Sequence, residues 1–380
     1  AKKAGWSVGI LPAQLKTPEK DILVIQAQSL SQVCNQCRKL QEDSTTPSQI
    51  TLPEPPAQPI FEDIIGLEEE KEILAMAISG HHSTLLFGPP GVGKTMLSKR
   101  LHALLPELNQ TQKDEVARIS GCADPSSLDN GQGLRSRILS HDCTSTQFIS
   151  GPSAKQPGEG ALAHCKTLIL DEINKFPPKL LESIKDSYDS GITQSSRSGE
   201  VIIYPSRFLM IANMNPCPCG GLGSENLSCT CNAKKLETYW NKVGKQLIER
   251  FDIRLPIKDG YSLNSQTEQN NKKTDQYYLD KVAQSVQRQK LRYKYIDNVN
   301  YNGEVHFNSS ALQMLKDEMD LYSKLQQGTK LSARAQIGLV ALARTIADYQ
   351  DTDVVNEEHF DFASQLRRYG VGDYYWRTFM

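Results

Sequence analysis

Apolar residues recur along the chain in two patterns, which predict where strands and helices form. Between residues 60 and 258, short apolar runs alternate with helix-like segments, an order typical of a parallel α/β sheet. The clearest runs are 83–87, 167–170 and 207–212, with a helix-like segment at 96–105. After a polar linker at 259–275, apolar residues return at helical spacing, which predicts a helical domain over 276–380. Its expected helices are 278–295, 309–325, 332–349 and 357–369.

The first 59 residues have a different organisation. Strands are predicted at 8–11 and 22–25 and a helix at 29–40, which is too little to fold alone, so 1–40 is interpreted as the remnant of an N-terminal α/β domain. Five prolines with Ser and Thr over 41–59 indicate an extended linker. The chain starts with Ala1 rather than Met, which favours a fragment of a longer protein.

Composition limits the function classes. The chain has 380 residues, with 43 basic against 44 acidic side chains, so any nucleic-acid surface must be local. No apolar run reaches transmembrane length, and the start lacks the features of a signal peptide. We therefore expect a cytoplasmic protein without a membrane partner.

The segment Gly88-Pro-Pro-Gly-Val-Gly-Lys-Thr95 matches the P-loop pattern between a predicted strand and a predicted helix. On this interpretation Lys94 reaches the β- and γ-phosphates of ATP, and Thr95 is a ligand of Mg²⁺. The predicted nucleotide contacts are Gly88, Pro89, Pro90, Gly91, Val92, Gly93, Lys94, Thr95 and Asp171. A glycine-rich turn without a ligand is the alternative.

Polar residues at the ends of two further apolar runs extend this chemistry. Asp171 and Glu172 follow the run 167–170, which predicts that Asp171 helps to hold Mg²⁺ and that Glu172 activates the attacking water. The run 207–212 leads into Asn213 and Asn215, and we favour Asn215 as the amide that senses the γ-phosphate. Two solvated acids at a strand end are the alternative for the first pair.

Four of the nine cysteines lie in one glycine- and proline-rich loop within the predicted insertion 214–233. They are Cys217, Cys219, Cys229 and Cys231. Such clustering in a cytosolic chain favours a metal over disulfides, and four thiolates can close a tetrahedral, structural Zn²⁺ site. Unligated or redox-labile thiols are the alternative.

The motifs and their order resemble a known family. Phe61-Glu-Asp-Ile-Ile-Gly66, the P-loop, Leu170-Asp-Glu172 and Arg250-Phe-Asp252 are similar to an AAA+ ATPase of the magnesium-chelatase-like branch. Residues 157–164, 214–220, 331–334 and 343–348 resemble the YifB/ComM group more closely. The similarity covers nearly the whole chain, and the N-terminal piece resembles the end of that group's Lon-protease-like domain, most of which would be missing.

The resemblance implies further roles. Arg250 matches the arginine finger that completes the catalytic site of the neighbouring subunit, and Arg334 matches the sensor-2 arginine of the helical lid. A helix at 179–190 and a hairpin at 192–205 match elements that point into the pore of the ring. Lys185 and Arg197 on these elements are candidate DNA contacts. Ordinary surface ion pairs are the alternative for both arginines, and a solvated face is the alternative for the pore charges.

The resemblance also implies a function. The expected protein is a homo-oligomeric ring, expected to be a hexamer, that hydrolyses ATP with Mg²⁺ and moves along DNA as a helicase or branch-migration motor in recombination. A chelatase- or MoxR-like ATPase that remodels a protein partner is the first alternative. A Lon-type peptidase is the second, although no complete Ser/Lys dyad can be assigned. Ring size, polarity, preferred DNA structure and pathway stay open, as does assembly of the fragment.

Overall fold

The computed structural model divides the chain into two units, residues 1–58 and 59–380. The structure describes residues 8–12, 23–27, 59–123, 135–152, 155–197, 200–224, 227–258, 273–297, 299–325 and 331–369. In the first unit, β1 (Val8–Pro12) and β2 (Leu23–Ala27) pair in parallel. The helix predicted at 29–40 lies outside the described residues.

A parallel sheet forms the centre of the second unit. The strands described in this unit are β3 (Thr84–Phe87), β4 (Ser136–Leu139), β5 (Thr167–Leu170), β6 (Ile192–Arg197), β7 (Glu200–Pro205), β8 (Leu209–Met214) and β9 (Ile253–Pro256). Five of them pair side by side in the order β4-β5-β8-β3-β9, all parallel. Every residue of β3, β5 and β8 is buried, because helices cover both faces of the sheet.

Helices surround this sheet and continue beyond it. Those before β9 are α1 (Glu68–Ser79), α2 (Lys94–Arg100), α3 (Gln110–Ala123), α4 (Ser145–Ile149), α5 (Glu159–Leu162), α6 (Pro178–Ser190), α7 (Ala233–Asn241) and α8 (Lys245–Ile248). Those after it are α9 (Asp275–Arg292), α10 (Ser309–Gln313), α11 (Lys316–Leu325), α12 (Ala333–Tyr349) and α13 (Glu357–Arg367). One apolar cluster joins α1 and one sheet face to the C-terminal helices, and another joins the opposite face to α6 and α7. The predicted fold class, an α/β core with a helical domain, is confirmed.

One predicted helix is two. The segment 309–325 was expected to be continuous, but α10 ends at Gln313 and α11 begins at Lys316. The backbone N–H groups of Met314 and Leu315 bond three residues back, to Ala311 and Leu312, so the helix tightens and stops there. Leu315 is buried, so the apolar spacing continues across the break and hides it from sequence analysis.

The hairpin β6–β7 pairs Ile192 with Pro205 at its base and Arg197 with Glu200 near its tip. Val201 and Ile203 alternate along β7 and are 56% and 55% exposed. One face of the hairpin therefore presents apolar side chains to solvent. None of the helices in the described part of the chain has both the length and the apolar sequence that crossing a membrane requires.

Candidate nucleotide site and cysteine centre

Three polar segments meet at the carboxyl edge of the sheet. The P-loop follows β3, Asp171 follows β5 and Asn215 follows β8, and β8 lies between the other two strands. Parallel strands end at the same edge, so the topology brings these segments together. This is the arrangement that the sequence predicts.

Glycine is required in the P-loop for two reasons. A Cβ atom at Gly88 would lie 2.1 Å from the carbonyl oxygen of Ile257, so only glycine fits between β3 and the end of β9. Gly93 has φ of 92°, a left-handed conformation that side chains rarely adopt, and α2 begins directly after it. These constraints fold residues 88–93 back over the amino end of α2.

Lys94 points into this loop. Its Nζ donates to the carbonyl oxygens of Gly88 at 2.7 Å and Pro89 at 2.6 Å, and to Oδ1 of Asn215 at 3.3 Å. Burial lowers the pKa of Lys94 to about 8, although the carboxylates of Asp171 and Glu172 act in the opposite direction. A buried ammonium bonded only to neutral oxygens is suited to receive the negative charge of phosphates.

Two expected magnesium ligands lie in contact. The hydroxyl of Thr95 donates to the two carboxylate oxygens of Asp171 at 3.0 and 3.3 Å. Asn213 supports this pair, because its Nδ2 donates to Asp171 at 3.2 Å and to the Ser98 hydroxyl at 2.9 Å. A hydroxyl and a carboxylate at this spacing fit the shell of a phosphate-bound Mg²⁺. The sequence favoured Asn215 over Asn213, and the position of Asn213 two residues before Asn215 was the available signal for its contact with this site.

Glu172 lies at the same edge with its side chain exposed. Its φ is 55°, and its carboxylate forms an ion pair with Lys175 at 2.6 Å. The side chain is 48% exposed and so is open to solvent water. An acid thus lies beside Asp171, as the sequence predicts. Its ion pair with Lys175 was not predicted.

A cavity of about 310 Å³ adjoins the P-loop. It is lined by Asp63, Ile64, Ile65, Leu67, Gly91, Val92, Gly93, Met96 and Lys258. Ile65 is 57% exposed and Met96 41%, so apolar surface faces this space. A larger cavity of about 1,100 Å³ is lined by residues such as Arg137, Gly158 and Glu159 and includes no residue of the P-loop. The smaller one is therefore the candidate for a nucleotide base.

Arg250 and Arg334 lie together, on the opposite edge of the sheet. NH2 of Arg250 bonds to Oδ2 of Asp189 at 2.6 Å, and NH1 of Arg334 bonds to Oδ1 of the same carboxylate at 3.0 Å. Tyr188, next to Asp189 at the end of α6, accepts a hydrogen bond from Ser83, which directly precedes β3. Asp189 is thus near the amino edge, at the opposite end of β3 from the P-loop. The shared carboxylate was not foreseen, because nothing in the sequence around Asp189 marks it.

The two predicted DNA contacts, Lys185 and Arg197, lie on different elements. Lys185 forms an ion pair with Asp186 at 3.1 Å and donates to Gln246 at 3.3 Å. Arg197 ends β6 opposite Glu200. Lys185 therefore has an acidic partner in this chain, which is what a solvated face would also show.

The four clustered cysteines converge. Their sulfur atoms all lie within 4.8 Å of one another. Cys217 is 3.3 Å from Cys219 and 3.8 Å from Cys229, and Cys219 is 3.7 Å from Cys229 and 3.4 Å from Cys231. A tetrahedron of thiolates at the zinc–sulfur distance has sulfur separations of about 3.8 Å, so the donor set fits one metal ion. Backbone N–H groups, first that of Gly221, lower the pKa of the Cys219 thiol to about 6, which favours its thiolate.

The fold and the edge chemistry define a P-loop protein of the AAA+ class, with an α/β core and a helical domain. The family described as "Magnesium chelatase, subunit ChlI" matches residues 60–264, and its C-terminal region matches residues 273–367. The chain belongs to this magnesium chelatase family.

Individual relatives support the family assignment. The chain is 30% identical to the uncharacterized protein YifB of Escherichia coli over 310 residues, which cover 80% of this chain and 60% of that protein. It is 30% identical to the competence protein ComM of Haemophilus influenzae over 301 residues, 78% of this chain and 58% of that protein. The magnesium-chelatase 38 kDa subunit of Cereibacter sphaeroides is 25% identical over 174 residues, which cover 41% of this chain and 52% of that protein. The chain thus spans about three fifths of the length of its YifB and ComM relatives.

Proposed function

We propose that this chain is the ATPase part of a ring-forming motor. The observation that carries the proposal is the hydrogen-bonded set at the carboxyl edge, in which Lys94 contacts Asn215 and Thr95 contacts Asp171. In P-loop proteins these residue types meet the phosphates and the magnesium ion of ATP. Family membership supports the same cofactors, ATP and Mg²⁺.

Each residue of this set then has a role in ATP binding or hydrolysis. Lys94 would exchange its bonds to loop carbonyls for bonds to the phosphates, and Thr95 and Asp171 would hold Mg²⁺. Asn215 faces the terminal phosphate because it already contacts the ammonium of Lys94. Glu172 polarises the attacking water, and the apolar side chains of Ile65 and Met96 receive the base.

The site is completed by a neighbouring subunit. Arg250 and Arg334 share Asp189 at the edge of the sheet away from their own P-loop, so neither is placed to meet its own nucleotide. An arginine finger supplied in trans stabilises the charge of the transition state. In a closed ring, the amino edge of one subunit would offer both arginines to the carboxyl edge of the next. A hexamer is the proposed ring.

DNA is the proposed substrate. The ComM relative is named a competence protein, and the YifB/ComM resemblance implies a helicase or branch-migration motor. The hairpin β6–β7 and α6 would reach the pore, with Arg197 and Lys185 as phosphate contacts. Lys185 would then exchange its bond to Asp186 for a phosphate.

A protein partner is the second candidate. Val201 and Ile203 form an exposed apolar face on the hairpin, which fits a protein surface better than a phosphate backbone. Relatives named as magnesium-chelatase subunits are consistent with this alternative.

For the cysteine centre we propose one structural Zn²⁺. Four thiolates complete a tetrahedron and leave no position open for a substrate. The ion would link residues 217–219 to residues 229–231.

ATPase rates measured without DNA and with single strands, duplex and four-way junctions test this proposal. A DNA motor predicts stimulation by at least one DNA form at low salt, with loss of stimulation but not of the basal rate in Arg197→Ala. Val201→Ser, on the same hairpin, is the matched control for removal of a neutral side chain. If an assembled wild-type ring hydrolyses ATP but no DNA form stimulates it, the protein-remodelling candidate replaces the DNA motor.

A further inference from the structure

The loop that carries the cysteines, described at residues 216–224 and 227–231, adjoins the nucleotide site at two points. Asn215, directly before it, accepts a hydrogen bond from Lys94 at 3.3 Å. Gly220 has φ of 77°, and a Cβ atom at this position would lie 3.1 Å from Cδ of Pro90 in the P-loop. The cysteine loop therefore comes so close to the loop expected to hold the phosphates that a side chain at Gly220 would press against Pro90.

Trp240 forms a third connection. Its Nε1 donates to the carbonyl oxygen of Pro216 at 3.0 Å, next to Cys217. Its ring packs edge-on against Phe87, with centroids 5.4 Å apart, and Phe87 is the last residue before the P-loop. One side chain thus joins the start of the cysteine loop to the start of the P-loop.

The cysteine loop has little apolar support of its own. Among the described residues, the buried members of its cluster are Cys217, Leu222 and Leu236, with Cys229 and Cys231 packed against them. The two halves of the loop lie close together, since a Cβ atom at Gly221 would be 2.9 Å from the carbonyl oxygen of Ser228. The four sulfur atoms lie where these halves meet and would join them through one metal ion. A metal bound there would supply most of the order of the loop.

We infer that the cysteine centre positions the nucleotide site: the metal-bound loop holds Asn215 beside Lys94 and supports Pro90. Cys217, Cys219, Cys229 and Cys231 are then positioning residues for ATP binding and hydrolysis. This inference rests on the proposed function, because it requires both a nucleotide at the P-loop and zinc at the cysteines. It predicts that metal loss acts first on the terminal phosphate, since Asn215 faces that phosphate.

The experiment compares wild-type protein with the double variant Cys229→Ser, Cys231→Ser, which removes two sulfurs from the half of the loop that is remote from Asn215. Cys122→Ser is the control, because this exposed thiol lies on α3, outside the cluster. Zinc per chain, melting temperature and the affinities for fluorescent ATP and ADP are measured for each. The same measurements on wild-type protein after chelation and after zinc is restored need no substitution.

We expect one zinc per wild-type chain and a loss of about tenfold or more in ATP affinity when it is removed, as for a hydrogen bond to a charged group. The loss for ADP should be smaller, and restored zinc should return both affinities. If zinc is present and can be removed while ATP and ADP affinities stay unchanged or fall equally, the inference is wrong, although the zinc site stands. Wild-type protein that binds ATP but carries no zinc overturns both the zinc proposal and the inference. Failure of the wild type to bind ATP overturns the proposed function itself.

Discussion

Asn213 and Asn215 have separate roles at the end of β8. Asn213 lies on the strand and Asn215 directly after it, and their side chains contact residues of α2. Asn215 contacts Lys94, whereas Asn213 is buried and contacts Asp171 and Ser98. One asparagine thus faces the phosphate side of the site and the other supports the expected magnesium ligand.

Asn213→Ala should reduce the contribution of Mg²⁺ to nucleotide affinity. The substitution removes a donor to Asp171, and the loss of such supporting partners typically costs 10–100-fold in metal affinity or activity. The measurement is the affinity for ATP with Mg²⁺ and with a chelator. The affinity with chelator should change little, and equal losses in both conditions would contradict the assigned role.

The pKa of Lys94 predicts how ATP binding varies with pH. In the free protein this pKa is lowered to about 8, so the ammonium loses its proton above that pH. Bound phosphates favour the charged form and raise the pKa, so binding takes up a proton at pH 8–9. ATP affinity should be constant below about pH 7 and should fall as pH rises through the free-state pKa, approaching tenfold per pH unit.

Calorimetry in buffers of different ionisation enthalpy checks this uptake directly. At pH 8.5 the protein should take up about three quarters of a proton per ATP bound, and at pH 6.8 little from this group. An affinity that is flat from pH 7 to 9.5 would show that Lys94 stays charged in the free protein.

At the scale of elements, buried charge joins the C-terminal helices. Asp348 of α12 is fully buried and accepts hydrogen bonds from both NH groups of Arg292 on α9, each at 2.7 Å. Arg344 and Asn302 also reach it, at 3.0 Å each. This network fixes α12, and with it the helix start that carries Arg334.

Asp348→Ala should destabilise the fold by about 3 kcal/mol or more, because it removes the buried carboxylate that pairs with Arg292 and Arg344. Asp353→Ala is the matched control, since that carboxylate pairs with Arg288 at the surface and should matter little. Denaturant unfolding measures both. Equal midpoints for the two variants would show that the buried network adds no stability.

The sequence predicts which residues meet at the nucleotide site where the ends of parallel strands decide their positions. Asp171, Asn215 and the P-loop each follow a continuous apolar run, and parallel strands bring those ends together. It could not place Arg250 beside Arg334, because they are distant in sequence and meet through Asp189, whose neighbours carry no motif. The supporting contact of Asn213 was not predicted for a related reason: a buried amide that supports a carboxylate looks the same in sequence as a solvated one.

At the scale of the whole molecule, the chemistry is divided between two edges of one sheet. The carboxyl edge carries Lys94, Thr95, Asp171, Glu172 and Asn215, and the amino edge carries Arg250 and Arg334. A single chain is therefore incomplete as an ATPase under this account. A ring with head-to-tail contacts would unite the two edges at every interface.

The most direct test of the shared site mixes two inactive variants. Arg250→Ala should leave ATP binding nearly intact and reduce turnover by about 10³–10⁵-fold, and Glu172→Gln should also abolish turnover. In mixed rings, an Arg250→Ala subunit keeps Glu172 and can receive Arg250 from a Glu172→Gln neighbour. Random assembly at equal amounts should restore about one site in four, and hence a clear fraction of wild-type activity. Mixed rings demonstrated by differential tags that show no more activity than the separate variants would contradict the account.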